Sequence, residues 1–264
     1  MLTDDVLEDA QKHDEREYLH DIVKKPDWQS RYCLAYHNSP SAWRFVDVDG
    51  SDGFNHAQEM IFTLQGVVEA KELPPVTTDP KIPRNKYIYL QQSVTLTGLG
   101  TPIFEETVQA LAEVATTFNR QFPEGQMIPW HSSPSCLANG QSIVLSNRYF
   151  TRRKDGPLMK PVAFDPDVDP KGFLSRAIGS HIIHTEENQV KYYRREKDKH
   201  GKTRYHPVEP QIFRVGDIVE IQFGLVIYKM RTDNYILKPM LYSLALIDGR
   251  FANAGILSIA LNNC

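Results

Sequence analysis

The chain from His181 onward constrains the fold most, because it is a succession of strand-like segments with no helix between them. Val, Ile, Tyr and Phe are frequent there, and Gly, Asp or Asn separates the apolar runs. Segments of this composition, bounded by turn formers, are typical of antiparallel strands. The pattern predicts strands over 181–197, 202–209, 212–228, 235–247 and 251–261. Pro210 must then lie at an edge or a bend, since it cannot donate to a ladder.

The preceding half of the chain mixes helices with strands. Its strongest signal is an apolar stripe over 102–122, where Phe104, Val108, Leu111, Ala115, Phe118 and Phe122 recur at steps of three or four. Thr101 and Pro102 suit the start of this helix, and Pro123 its end. Further helices are predicted over 3–25 and 171–178, and strands over 43–48, 59–68, 87–97 and 142–150.

This order of elements favours the α+β class, because helices and strands are followed by a run of antiparallel strands. We expect an antiparallel β-sandwich or barrel, of the jelly-roll or OB-like type, with flanking amphipathic helices. At 264 residues the chain is long enough to bury one sizeable core, so we expect 1–264 to form one domain. Within it, 1–25 is an acidic N-terminal helix, 26–150 a mixed α/β part and 181–264 a β-rich part.

Composition excludes several classes of protein. Hydrophobic residues make up 41% and charged residues 24%, which argues against disorder of the whole chain. The apolar runs are far shorter than the ~20 residues that span a bilayer, so we expect no membrane association. The three cysteines are widely separated and form neither a disulfide framework nor a Cys-x-x-Cys metal motif. A reducing intracellular setting, cytoplasmic or nuclear, follows.

Charge is distributed unevenly along the chain. The net charge is −3, yet residues 1–21 carry eight acids against two bases, whereas 145–206 carry fourteen bases against eight acids. A basic segment of this kind is what an anionic partner requires, although a solvated surface has the same composition. The near-neutral total therefore does not exclude a nucleic acid as partner.

The basic charge is densest in residues 191–206, which hold seven bases, two acids and three tyrosines. We interpret this segment as a β-hairpin with a two-residue turn at His200-Gly201. That turn pairs Lys199 with Lys202, Lys197 with Arg204, and Arg195 with His206. Opposed like charges destabilise a hairpin by themselves but suit an anion-binding face. The alternative is a protruding hairpin whose lysines only prevent edge pairing.

The leading hypothesis is a non-enzymatic protein that binds DNA or RNA through this basic, tyrosine-containing β-hairpin. No Walker loop, dinucleotide fingerprint or Gly-x-Ser-x-Gly motif is present, so no catalytic residue is assigned. The expected nucleic-acid-binding residues are Lys191, Tyr193, Arg195, Lys197, Lys199, Lys202, Arg204 and Tyr205, with Arg152 and Arg153 extending the surface.

Two other functions remain open from the sequence. His184 and Glu186, two residues apart in a predicted strand, share one face and match half of the iron site of a jelly-roll oxygenase. Under that hypothesis Fe is the cofactor, whereas the leading hypothesis needs none. The third function is a protein-interaction or assembly module, which implies a homo-oligomer that uses the 104–122 stripe or a sheet edge.

Three phrases near the C-terminus carry a resemblance. They are HTEENQVKYYRR (184–195), FRVGDIVEIQFGLVIY (213–228) and LYSLALIDGRF (241–251). Over roughly the last 85 residues the chain resembles a group of uncharacterised predicted proteins of mushroom-forming fungi, often present in many copies per genome. The resemblance implies no activity and transfers no catalytic residue. A multi-copy habit is typical of mobile elements and so mildly favours a nucleic-acid partner.

Overall fold

A computed structural model describes residues 17–48, 57–137, 140–156 and 158–250. Its helices are α1 (Leu19–Val23), α2 (Trp28–Arg31) and α3 (Pro102–Asn119). Its strands are β1 (Tyr32–Asn38), β2 (Ser41–Asp47), β3 (Gln58–Glu59), β4 (Phe62–Glu72), β5 (Gln91–Thr97), β6 (Met127–Ile128), β7 (Ser133–Pro134), β8 (Gln141–Arg148), β9 (Thr151–Arg152), β10 (Ile182–Ile183), β11 (Lys191–Lys197), β12 (Thr203–Pro207), β13 (Ile218–Lys229) and β14 (Tyr235–Asp248). Short 3-10 turns span Arg84–Tyr89, Ser175–Ala177, Glu186–Asn188 and Pro210–Ile212.

Five strands close into a ring. β4 pairs with β5, β5 with β8, β14 with β13, and β13 again with β4, all antiparallel. The remaining contact joins β8 to β14 in parallel, with Ser146 opposite Met240. Numbered along the chain, the strands follow each other around the ring as first, second, third, fifth and fourth, which is the connectivity of an OB-type barrel. The expected α+β fold with a β-barrel is confirmed.

Additional strands widen this barrel into a 12-stranded sheet. β2 pairs with β13 and carries β1 on its outer side, while β11 pairs in parallel with β14 and carries β12. β1 and β12 therefore lie at the two ends of the sheet path. The segment that contains β11 and β12 is an insertion between the third and fourth strands of the barrel.

The core lies inside the ring and continues beneath α3. Side chains on β5 alternate between half-buried and buried, as the period of a strand requires, and Val94 and Leu96 point inward. Phe104 of α3 covers one end of the barrel. It lies so close to Gly98 that an added Cβ there would be 2.2 Å from the Phe104 side chain. Glycine at position 98 is therefore what lets the helix sit against the sheet.

Helix α3 confirms the 104–122 stripe as a core-facing surface. Phe104, Leu111 and Phe118 are almost completely buried, and Phe122 stays buried although the helix ends at Asn119. The predicted Thr101 cap occupies the right position but makes no side-chain capping hydrogen bond. Because α3 packs on the barrel and on α1, its apolar stripe is covered within the chain and is not a surface for a helix of a partner.

Four of the predicted elements need correction. The strand predicted over 212–228 starts only at Ile218. The strand predicted over 87–97 starts only at Gln91, because the chain forms a 3-10 turn up to Tyr89. The helix predicted over 171–178 is wrong. Only Ser175–Ala177 is helical, since the Asp169 carboxylate accepts the backbone N–H groups of Leu174 and Ser175 and holds a tight turn. The strand predicted over 181–197 is interrupted by the turn at 186–188.

Two predicted elements lie partly or wholly outside the described residues. Of the helix predicted over 3–25, the structure describes α1, whose Leu19 and Ile22 are buried in the core. The strand predicted over 251–261 is entirely outside. None of the described helices combines the length and apolar character needed to cross a bilayer.

Candidate functional site

The basic hairpin exists, but its register differs from the predicted one by a single residue. β11 and β12 place Arg195 opposite Tyr205, Glu196 opposite Arg204 and Lys197 opposite Thr203. The predicted pairing of Arg195 with His206 and of Lys197 with Arg204 is therefore wrong. A slip of one residue moves side chains to the opposite face, so the predicted column of opposed like charges does not form.

The turn explains the slip. The Asp198 amide donates to the Lys202 carbonyl, so three residues form the loop instead of two. Only Gly201 has a positive φ, of 78°, whereas a two-residue type I′ turn needs two such residues. The Asp198 carboxylate also accepts the backbone N–H groups of His200 and Lys202. These hydrogen bonds hold the pKa of Asp198 below its usual value.

A carboxylate of the barrel anchors the hairpin. The Arg195 guanidinium lies 3.3 Å from a carboxylate oxygen of Glu220, the Tyr205 hydroxyl donates to Glu220, and Gln65 donates to it over 2.7 Å. The Glu220 side chain is only 6% exposed. Arg195 and Tyr205 thus join β11 and β12 to β13 instead of facing solvent. Lys197, Lys199 and Lys202 remain exposed at the tip.

The proposed iron ligands are not on a common strand face. Thr185 caps a 3-10 turn that begins at Glu186, so the alternation assumed for a strand does not apply. His184 is buried, its Nδ1 is 2.8 Å from the Tyr149 carbonyl oxygen, and its ring stacks on Phe164 at 3.8 Å. Glu186 is exposed. Nowhere in the described ranges do three His, Cys, Asp or Glu side chains converge as a metal site requires.

A second basic and aromatic cluster lies on the barrel itself, and we call it the barrel groove. It comprises Tyr89, Arg148, Arg152, Tyr228, Arg231 and Lys238. Tyr89 belongs to the connection between the first and second barrel strands, and Arg231 to the connection between the fourth and fifth. Arg148 ends the third strand, opposite Gln91 at the start of the second. Closure of the ring brings these distant positions together.

Tyr89 is the centre of the barrel groove. Its side chain is exposed, and the guanidinium carbons of Arg148 and Arg231 lie 5.9 and 5.8 Å from its ring centroid. Arg152 donates a long hydrogen bond of 3.4 Å to its hydroxyl. Arg148 also lies 5.5 Å from the ring centroid of Tyr228. All of these cation–ring distances are within the range of cation–π attraction.

The cations of the barrel groove lack anionic partners. Among the described residues, no carboxylate lies within ion-pair distance of Arg148, Arg152, Arg231 or Lys238. Burial and the positive charge of Arg148 lower the pKa of Lys238. Arg148, Arg152 and Lys238 line a cavity in the barrel groove, and Glu187 lines it too. The Glu187 carboxylate is engaged by Arg44, which donates to it over 2.6 Å. Excess positive charge therefore surrounds an exposed aromatic ring.

The structure divides the predicted site residues between two places. Arg152 joins the barrel groove, while the residues from Lys191 to Tyr205 lie on the hairpin, at an end of the sheet path. Arg153 lies next to Arg152, and its backbone N–H donates to the His181 carbonyl. Tyr89, Tyr228, Arg231 and Lys238 were missed, because they are scattered over 150 positions of a sequence in which no local motif joins them.

Comparison with known proteins yields a slight structural likeness. No protein-family model and no curated protein sequence matches the chain. Among solved structures, the chain is similar to gp2.5, a single-stranded DNA binding protein encoded by bacteriophage T7. That similarity has a TM-score of 0.37 and 12% sequence identity, and it covers 72% of this chain and 92% of gp2.5.

Proposed function

We propose that this protein binds single-stranded nucleic acid and that the barrel groove is its contact surface. The observation that carries the proposal is the exposed Tyr89 ring with the guanidinium groups of Arg148 and Arg231 within 5.9 Å of its centroid. Such a ring offers a stacking surface that accepts any base, and the cations beside it attract the phosphates. Double-stranded DNA presents its bases edge-on in the grooves, so a flat stacking platform suits an unpaired strand.

The position of the barrel groove supports the same function. OB-type barrels use the face of the second and third strands, together with the connections between strands one and two and between strands four and five. Here those connections supply Tyr89 and Arg231, and the third strand supplies Arg148. Along the outer face of β5 and β8, Ser93, Thr95 and Ser146 are half-buried small polar residues, which leave room for a strand to lie across the sheet.

The exposed hairpin lysines have a secondary place in this proposal. Lys197, Lys199 and Lys202 add positive charge outside the barrel groove without a stacking ring between them. We assign them a long-range electrostatic contribution, which accelerates encounter and depends strongly on salt. By contrast, Arg195 and Tyr205 bind to Glu220, and their main role is to stabilise the hairpin against the barrel.

Two double variants with the same loss of charge test this assignment. Arg148→Ala/Arg231→Ala removes two cations from the barrel groove, and Lys197→Ala/Lys199→Ala removes two from the hairpin tip. Fluorescence anisotropy with a labelled oligothymidylate of about 15 nucleotides, which covers one OB-type site, gives the affinity of each. The groove variant should lose at least tenfold more affinity than the hairpin variant, since each groove arginine both contacts phosphate and supports the Tyr89 platform.

The outcomes are separable. Wild-type protein that binds neither oligothymidylate nor oligouridylate would disprove the proposed function. Equal losses in the two variants would show that net charge, and not the barrel groove, determines binding. Thermal unfolding of each variant serves as the control for folding, and none of the four replaced side chains is buried in the core.

A further inference from the structure

We infer that the inner end of the barrel groove, between Arg148, Ser146 and Lys238, is a binding subsite for one phosphodiester group of the strand. This inference deepens the proposed function and rests on it. It assigns the polyanionic backbone to a defined place, whereas the Tyr89 platform explains only where a base would lie.

The three side chains form the wall of one cavity. Ser146 lies opposite Met240 in the parallel pairing of β8 with β14. Arg148 follows Ser146 on β8 and Lys238 precedes Met240 on β14, so the two cations lie on either side of this residue pair, and their long side chains line the same cavity. Side chains two residues apart on a strand point to the same face, so Ser146 and Arg148 share one face of β8. The set offers a hydroxyl, a guanidinium and an ammonium group, all of which donate to phosphate oxygens.

Lys238 is the more informative member, because it is half-buried without an anion. Within the described part of the chain it has no hydrogen-bond or ion-pair partner, and the charge that affects its pKa is the like charge of Arg148 on the same cavity wall. A buried cation beside a like charge is unfavourable by itself. An incoming phosphate would relieve that cost, so the arrangement is suited to the bound state more than to the free protein.

The volume of the cavity suits a phosphate group better than a base. Its volume is about 80 Å³, whereas roughly 10–15 Å³ is enough for one water molecule. A phosphate group of five heavy atoms fits such a space, whereas a stacked base is better accommodated on the open ring of Tyr89. Two acids, Asp155 and Glu187, also line the cavity. Arg44 engages Glu187, and within the described residues neither acid forms an ion pair with Lys238.

The first test compares Lys238→Met with Lys25→Met. Both variants remove one lysine charge, but Lys25 is exposed beside α1 and does not line the cavity. With oligothymidylate, Lys238→Met should bind about tenfold more weakly, as expected for a lost charged hydrogen bond, and Lys25→Met about as well as wild type. The slope of log affinity against log salt should fall by about 0.7 in Lys238→Met, as for one lost single-strand phosphate contact. Thermal unfolding checks that both variants are folded.

The second test observes Lys238 directly. Reductive ¹³C-methylation keeps each lysine charged, and the Lys238 methyl signal is identified by its loss in Lys238→Met. In the free protein this signal should titrate below those of exposed lysines, and saturating oligothymidylate should move its titration upward. If 5′-phosphorylated and 5′-hydroxyl oligonucleotides produce the same shift, the bound group is a diester of the backbone.

Failure of this inference is distinct from failure of the proposed function. Wild-type protein that binds oligothymidylate while the Lys238 titration stays unchanged, or while Lys238→Met binds like Lys25→Met, overturns the phosphate subsite alone. A shift only with 5′-phosphorylated oligonucleotides overturns the diester assignment in favour of a terminal phosphate. Absence of any binding by wild-type protein overturns both proposals.

Discussion

The hairpin and the barrel groove are both basic and both contain tyrosine, yet they differ in whether their arginines have carboxylate partners. In the hairpin, Arg195 and Tyr205 meet the buried carboxylate of Glu220, and Arg204 lies 3.3 Å from Asp198. In the barrel groove, Arg148 and Arg231 surround a ring and meet no carboxylate in the described structure. The difference teaches that charge density along a sequence does not show which cations lack an anionic partner in the fold.

The largest effect, on stability, should come from removing the carboxylate that joins the hairpin to the barrel. Glu220→Ala leaves the Arg195 guanidinium and the Tyr205 hydroxyl without their buried acceptor, which should lower the free energy of unfolding by about 3 kcal/mol. Urea denaturation measures the loss. Glu209→Ala, which removes an exposed carboxylate, is the control. A loss below about 0.5 kcal/mol would show that the hairpin is not structurally anchored and would restore Arg195 as a ligand-binding candidate.

The next effect concerns stacking in the barrel groove. Tyr89→Ala should weaken binding of oligothymidylate by about 1–3 kcal/mol, the usual contribution of one stacked base. Tyr36→Ala is a matched control, because Tyr36 is 50% exposed and Tyr89 44%. Anisotropy titrations measure both variants. Similar losses in the two would remove the distinction between the barrel groove and any other exposed tyrosine.

A smaller, pH-dependent effect concerns the segment that leads from the barrel groove into the hairpin. Burial lowers the pKa of His184. The unfolded chain therefore binds a proton more readily, and stability should fall as pH drops below about 6.5, the ordinary pKa of histidine. The slope from this group is at most about 1.4 kcal/mol per pH unit.

Replacement of this histidine isolates its contribution. His184→Gln should flatten the dependence of the unfolding free energy on pH between neutrality and mild acid, whereas His206→Gln, at an exposed hairpin position, should leave it unchanged. Denaturant titrations at a series of pH values give both curves. If His184→Gln retains the full slope, other groups cause the acid sensitivity.

The smallest effect should come from the hairpin turn. Asp198→Ala removes the acceptor of the His200 and Lys202 amides, so hydrogen exchange at the hairpin tip should accelerate while binding of oligothymidylate stays the same. The lowered pKa of Asp198 means that its carboxylate stabilises the turn above its ordinary pKa and that this is lost as pH falls through the lowered value. If the amides of the hairpin tip exchange as slowly in Asp198→Ala as in wild type, Gly201 alone determines the register of the hairpin.

Much of the fold was predictable from sequence, because local periodicity reports which elements form. The stripe from Phe104 to Phe118 predicted α3, and the β-branched runs predicted β13 and β14 within a few residues, apart from a later start of β13. The hairpin was also found, but its register was not. There the outcome depended on the Asp198 side chain and on one positive φ at Gly201, and these shift the pairing by a single residue.

By itself, the sequence determined the class of the fold and the presence of a basic middle segment, since both follow from side-chain chemistry read in chain order. The tertiary structure decided which of those charges remain available. The pairing of β11 with β14 placed Arg195 near Glu220 of β13. Ring closure gathered Tyr89, Arg148 and Arg231 at one face, although the first and last are 142 positions apart. A hydrogen bond or an ion pair depends on distance in space, and only the closed barrel sets those distances.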